Sequence, residues 1–473
     1  MKTRQLRVAA ESDGSLKKNL TDGIFSMILE YALPLKENPL MMATEEALKL
    51  IRFTKRDKRI CSFALHTGLD ANPRYDCFEI IKILKKASRS QDMIVFLNGM
   101  HMNIDRLRDN LINLADQDIS GLVISSALAD IEHPMDDAGN PKLGEERYMD
   151  SIKMLYYSRK KWPQVFTGAM VNPFKYNIDE SYLQYYKAIR NLNTGADALW
   201  TEAGWDMRKL QEFQWYLRLR DHDVPVIARL LFLHEGDSSK IIQNKFPGIT
   251  MSREGAAQIQ RLENEEHALY NMQIDSVAMQ VAGCRLMGYS GVQLAGIDRL
   301  DTAKSVIDRS MDMLTEFKDY AEWVEAWKDM NGRMNHPPAT DSYYVYKNLL
   351  DPDCLDYDAG KTPISNNEFE IPKNAEKLKY MLAQQLGLDK KKSNPLLKRI
   401  LCDLKGKTDW ALDKTMLNCA ANCPKGLEEG PCESSRPGGL CEFGDKECFY
   451  IGVVRLASWQ NKLADFETAY DDG

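Results

Sequence analysis

Five cysteines stand close together toward the end of the sequence, at Cys419, Cys423, Cys432, Cys441 and Cys448, in the spacing C-x3-C-x8-C-x8-C-x6-C. Turn residues separate them: Pro424 and Gly426, Gly430 and Pro431, Pro437 with Gly438 and Gly439, then Gly444. So short a segment, rich in Gly and Pro, cannot bury enough apolar surface to hold itself, and it needs a disulfide or metal staple. Loops of this kind let backbone amides point at sulfur, which stabilises the thiolates of an iron–sulfur cluster or of a zinc site. The paired C-x2-C knuckles of many zinc ribbons are missing, so spacing alone does not choose the metal.

Composition decides between disulfide and metal. Lys and Arg number 62 against 69 acidic residues, a net charge of -7, with no basic run of the kind a nucleic-acid footprint requires. Nowhere do about 18 uncharged apolar residues run together, so no membrane insertion is expected. The first residues carry no apolar signal core, and the protein is expected to be soluble and cytoplasmic. In a reducing cytosol clustered cysteines are metal ligands rather than disulfides. Either metal site takes about four ligands. Cys423, Cys432, Cys441 and Cys448 are the expected set, with Cys419 as substitute or further participant.

A second set of chemical groups depends on the elements that position it. From about residue 20 to about 320, short apolar runs alternate with helical patterns, the signature of a parallel α/β fold. Eight candidate strands, Ile24–Glu30, Ile60–Leu65, Met93–Leu97, Leu122–Ser126, Val165–Val171, Asp197–Thr201, Val226–Leu233 and Gly291–Ala295, predict a closed (β/α)8 TIM barrel over residues 1–325. Asp105–Ala115 and Glu180–Leu192 place apolar residues at helical spacing between them. Barrel enzymes do their chemistry at the C-terminal strand ends. Those ends give Glu30, His66, Asn98, Asp130, Asn172, Glu202 and His234, followed by Gln293 and the turn at Gly296. Glu30 and Glu202 stand out because a desolvated carboxyl at a barrel mouth can donate a proton, the alternative for Glu30 being a buried ion pair with a barrel Arg or Lys.

Residues 326–373 read as a wrapping connector, and 374–473 as a small helical, cysteine-rich metal-binding domain. There Asn374 is the expected cap of a helix with Leu378, Met381, Leu382 and Leu386 on one face and Gly387 just past its end. Asn394 and Pro395 open a second helix leading to Cys402. Cys61, Cys77 and Cys284 fall in apolar barrel patterns and read as small buried hydrophobes.

Both halves together resemble the methylenetetrahydrofolate reductases, in particular those joined to the cysteine-bearing C-terminal domain of anaerobic, acetate-forming bacteria. CPKGLEEGPC followed by GGLCE and KEC is similar to that domain's pattern, and FSMILEYALP, GAMVNPF, TGADALWTEAGWD, FPGITM and GYSGVQLAG resemble barrel motifs in the family's order. The resemblance implies hydride transfer from a flavin, FMN or FAD, to methylenetetrahydrofolate, giving methyltetrahydrofolate. Glu30 would be the proton donor, Asn98, Glu202 and Gln293 would bind the folate, and Asp130, Tyr148, Asn172 and Thr201 would bind the flavin. It favours a [4Fe-4S] cluster over zinc at the cysteines, because redox work suits such a barrel. A second reductase or electron-donor subunit is the implied partner. Among the departures from the pattern, which include Glu433 and Ser434 in place of two glycines, Glu202 stands where the family has Gln, and Asn191 where many members have a phosphate-binding Lys. The departures at Glu202 and Asn191 motivate the alternative of a flavin-free structural and electron-relay subunit serving a separate flavin-bearing reductase.

Overall fold

The computed structural model describes residues 2–3, 7–8, 15–70, 72–126, 128, 148–265, 267–334, 338, 341–365, 368–390, 393–404 and 410–472. A two-residue strand, β1 (Arg7–Val8), leads into eight parallel strands: β2 (Ile24–Ala32), β3 (Ile60–His66), β4 (Met93–Asn98), β5 (Gly121–Ser125), β6 (Phe166–Val171), β7 (Ala198–Ala203), β8 (Val226–Leu231) and β9 (Gly291–Ala295). Each pairs with the next, and β9 returns to β2 in the register Ser26 with Gly291 through Leu29 with Leu294, closing the barrel. The expected strands all form; the run from Val226 stops at Leu231, two residues before the expected Leu233.

The strands are buried on both faces, which explains why they read as continuous apolar runs. Ile28, Ala64, Phe96, Met170, Trp200 and Ile227 belong to the cluster that fills the interior. Trp200 needs room, and Gly168 on the neighbouring strand supplies it: a Cβ there would lie 2.3 Å from the indole ring. Side-chain caps start the surrounding helices, with Asp76, Asn103, Asp150, Asn177 and Asp206 each accepting a first-turn N–H.

The last barrel helix, Tyr320–Met334, runs beyond the expected boundary at 325. The connector then lies along the helix Met207–Leu219: Trp215 Nε1 donates to the Leu355 carbonyl at 2.9 Å and Gln211 Nε2 to that of Cys354 at 2.9 Å. In the C-terminal domain the helix Asn374–Gln385 is capped by Lys373 rather than Asn374. Its buried side chains are Tyr380, edge-on to Trp459, and Ala383, while Leu378, Met381, Leu382 and Leu386 stand exposed. The periodicity there marks a helix but not a buried face. Asn394 does cap the next helix, Pro395–Leu401. The final helix, Phe449–Trp459, begins at Cys448 and packs on the barrel helix Ile178–Thr194. Among the described residues no helix is long and apolar enough to cross a membrane.

Candidate functional site

Three groups of polar side chains follow one another from the barrel interior outward, the first two buried and the third half-buried. The innermost is organised by Arg229, the single charge inside β8. Its guanidinium grips Glu30 with two hydrogen bonds, Nε to Oε2 and Nη2 to Oε1, both 2.7 Å, and Nη1 donates to Glu202 Oε1. Gln293 Nε2 donates to Glu30 Oε2 at 2.6 Å and is itself oriented by Trp200 Nε1, which donates to its Oε1 at 3.0 Å. Thr201 accepts the Arg229 backbone N–H at 3.0 Å.

Burial pushes the Glu30 carboxyl up, but the charge of Arg229, with His66 and the hydrogen bonds from Arg229 and Gln293, outweighs it and holds the group at about 2. Glu30 is thus a fixed carboxylate in the ion pair that its sequence position left open as the alternative. Glu202 behaves oppositely: burial raises it, Arg229 opposes this, and the Glu433 and Glu30 charges add to the rise. His66 is neutral, its imidazole lowered to about 3 by burial and by Arg229. Of the two strand-end carboxyls, Glu202 is the one disposed to carry a proton.

The second group plugs the mouth. The cysteine segment sends residues 428–435 against the C-terminal strand ends and the helix Ile178–Thr194. Glu433 accepts from Lys187 Nζ at 2.7 Å and from the Ser126 N–H at 3.1 Å, and its carbonyl accepts from Asn172 Nδ2 at 2.8 Å. Arg190 pairs with Glu429, Lys153 with Glu428, and Lys175 Nζ donates to the Ser435 carbonyl at 2.7 Å. What remains between plug and barrel floor is a cavity of about 30 Å³ lined by His66, Asn98, Met170, Glu202, Arg229 and Glu433, among others. That is room for roughly two water molecules.

The third group is the thiols. Cys423, Cys432, Cys441 and Cys448 line one cavity, with Lys425, Glu442 and Phe443 in the same wall. Burial pushes the Cys423 thiol up to about 12, with Cys432 adding to it, and lifts Cys448 and Cys441 as well. Lys425 is buried there; burial works against its charge, but Cys432 and Glu442 hold it above its ordinary value. Cys419 lies apart, fully buried, its N–H donating to the Cys402 carbonyl at 2.9 Å. The thiols share the cavity without converging on one point: among the described residues no three His, Cys, Asp or Glu side chains are arranged to hold a metal ion. As a donor set, four thiols around one cavity fit the ligand type and number of a zinc or iron–sulfur centre.

Among the described residues, Asn172, Thr201 and Tyr148, three of the expected flavin residues, do not form a cradle. Asn172 is fully buried and spends its amide on the carbonyls of Gly248 and Glu433. Thr201 faces Arg229, and Tyr148 is buried edge-on to Phe443 at 6.5 Å, beside the thiol cavity. Asp130 lies outside the described residues. Among the described residues, which leave a cavity of about 30 Å³ at the mouth, this arrangement does not fit a flavin. Of the expected folate residues, Asn98 and Glu202 border that small cavity, and Gln293 is buried against Glu30.

Sequence reasoning passed over Arg229 and Lys187. A lone charge inside the apolar run VIARLL was the available signal for the first. For the second it was the set of Lys175, Lys187 and Arg190 on and before one helix, matched by Glu428, Glu429 and Glu433 among the cysteines.

Fold and site define a (β/α)8 barrel whose mouth is closed by a cysteine-rich C-terminal domain. Residues 392–471 of that domain match the family described as methylene-tetrahydrofolate reductase C terminal. None of the curated proteins matches the chain. Among solved structures, an uncharacterized protein from Clostridium thermocellum that binds two copies of 5-methyl-5,6,7,8-tetrahydrofolic acid is 14% identical with a TM-score of 0.46, covering 64% of this chain and 100% of that one. Oxaloacetate acetylhydrolase in complex with 3,3-difluorooxalacetate is 8% identical with a TM-score of 0.35, covering 64% of this chain and 86% of that one.

Proposed function

We propose that this chain is a subunit of a methylenetetrahydrofolate reductase system, in which the barrel carries no flavin and instead holds a four-thiol metal domain that serves a separate flavin-bearing reductase. The family match over residues 392–471 supports the link to folate one-carbon chemistry. The observation that carries the division of labour is the plug: Glu433 takes up Lys187, Asn172 and the Ser126 N–H, three polar groups near the barrel mouth. Cys423, Cys432, Cys441 and Cys448 would hold a [4Fe-4S] cluster, or zinc in its place. Bound there, a cluster supplies one-electron transfer. The protein's own part is to gather the thiols around one cavity, place Lys425 beside them and close the barrel behind them.

A second reading keeps the chemistry in this chain. Glu202, buried and raised, would be the proton donor to the reduced folate once residues 428–435 withdraw. Analysis of iron, inorganic sulfide, zinc and flavin in anaerobically purified protein separates the two. The subunit reading expects iron and sulfide in equal amounts, no flavin absorbance and no turnover by the isolated chain. Bound flavin together with turnover from a dye donor would overturn it in favour of the second reading, and zinc without sulfide would make the domain a docking module rather than an electron relay.

A further inference from the structure

The four thiols of the cavity are not held from the same side. Cys423, Cys441 and Cys448 are fixed from within their own domain. The Cys423 N–H donates to the Ala420 carbonyl at 2.9 Å, that of Cys441 to Lys446 at 2.7 Å, and that of Cys448 to Gly439 at 2.8 Å. Arg436 Nε adds a 3.0 Å bond to the Cys441 carbonyl. Cys432 is different, because the peptide on either side of it is tied to the barrel. Gln184 Nε2 donates to the Cys432 carbonyl at 2.9 Å, and Lys187 Nζ donates at 2.8 Å to the preceding carbonyl of Pro431 and at 2.7 Å to the carboxylate of the following Glu433. Both barrel side chains stand one turn apart on the helix Ile178–Thr194, and both are buried. Water therefore does not compete for these bonds, and the ammonium at Lys187 makes two of them charge-assisted.

We infer that Gln184 and Lys187 are positioning residues for the metal centre: they set Cys432 as the ligand that the barrel contributes, against three ligands set by the C-terminal domain itself. The inference rests on the reading of the four thiols as metal ligands. Groups that orient a ligand from behind commonly alter metal affinity about 10-fold or more when removed. The barrel is then part of the metal site, although none of its own side chains is a ligand.

The test compares Gln184→Ala and the charge-neutral pair Lys187→Met with Glu433→Gln against Lys153→Gln, which breaks a domain contact, to Glu428, that touches neither Cys432 nor its neighbours. Metal release to a chelator and mass-mapped alkylation of each cysteine are followed in the full chain, with circular dichroism to confirm folding. Release about 10-fold faster in the first two variants, with alkylation rising first at Cys432, and near wild-type release in Lys153→Gln, is the expected result. Should the Lys187 pair fail to fold, Gln184→Ala decides alone. Wild-type release in the positioning variants, or equal acceleration in all three, overturns the inference. A wild-type chain that takes up neither iron nor zinc sinks the metal reading and this inference with it, whereas a metal-bearing wild type with unaltered variants sinks the inference alone.

Discussion

Inside the barrel, Glu30 and Glu202 share one guanidinium, and every polar atom of that guanidinium has a partner among Glu30, Glu202 and His66. In the thiol cavity, four sulfurs share one ammonium, Lys425, which Glu442 already pairs. The barrel cluster is buried and bound up in its own hydrogen bonds, whereas Cys423, Cys432, Cys441 and Cys448 stand half-buried around their cavity. A closed network fixes geometry and leaves little to bind. Four thiols around one cavity are the donor set that the proposed metal would use, so on that reading the thiols rather than the strand ends are the half of the molecule that takes a ligand.

The comparison breaks most completely at single cysteines. Cys432→Ser or Cys448→Ser is expected to abolish stoichiometric metal, while Cys419→Ser, which changes a thiol outside the cavity, keeps it; metal analysis of the three proteins reads this directly. Equal loss in all three would erase the distinction drawn between Cys419 and the others. Next in size, Arg229→Met strands a buried carboxylate at Glu30 and is expected to destabilise the fold by about 3–5 kcal/mol, measured by urea unfolding. A change within about 0.5 kcal/mol, as for an ordinary surface site, would show that the barrel network is not closed around Arg229.

The smallest effect lies in pH. Glu30 falls from 4.5 to about 2 on folding, so its contribution is present above 4.5 and is lost only as pH falls through about 2. Glu429 in the plug moves the other way: burial, with Asp150 adding and Arg190 opposing, raises it from 4.5 to about 7. Its folded form binds the proton more tightly, so stability declines as pH rises from 4.5 through about 7. Urea unfolding across that window should show the decline in the wild type and a flatter profile in Glu429→Gln. Parallel profiles would mean that Glu429 is ionised throughout.

How much of this the amino-acid order disclosed depends on the distance over which each contact acts. The strands were legible because β-branched runs such as Val226–Leu231 are buried on both faces, and caps such as Asn394 act within three residues. Cys423, Cys432, Cys441 and Cys448, close in the sequence, line one cavity. The partner of Glu30 was anticipated only as a type, since Arg229 lies 199 positions away. The plug left no local trace, because Lys187 and Glu433 are separated by 246 positions. Leu378, Met381, Leu382 and Leu386 misled for the converse reason: helical spacing reports a stripe, and only tertiary contact decides whether anything covers it.

The plug also redefines what a domain boundary means in this chain. The barrel owns its strands, its helices and its core, but not the counter-charges of its mouth. Cut after Lys373, it would leave Lys187 and Arg190 without the plug carboxylates that now pair them, Glu433 and Glu429. The two halves are thus separable in sequence and inseparable in charge.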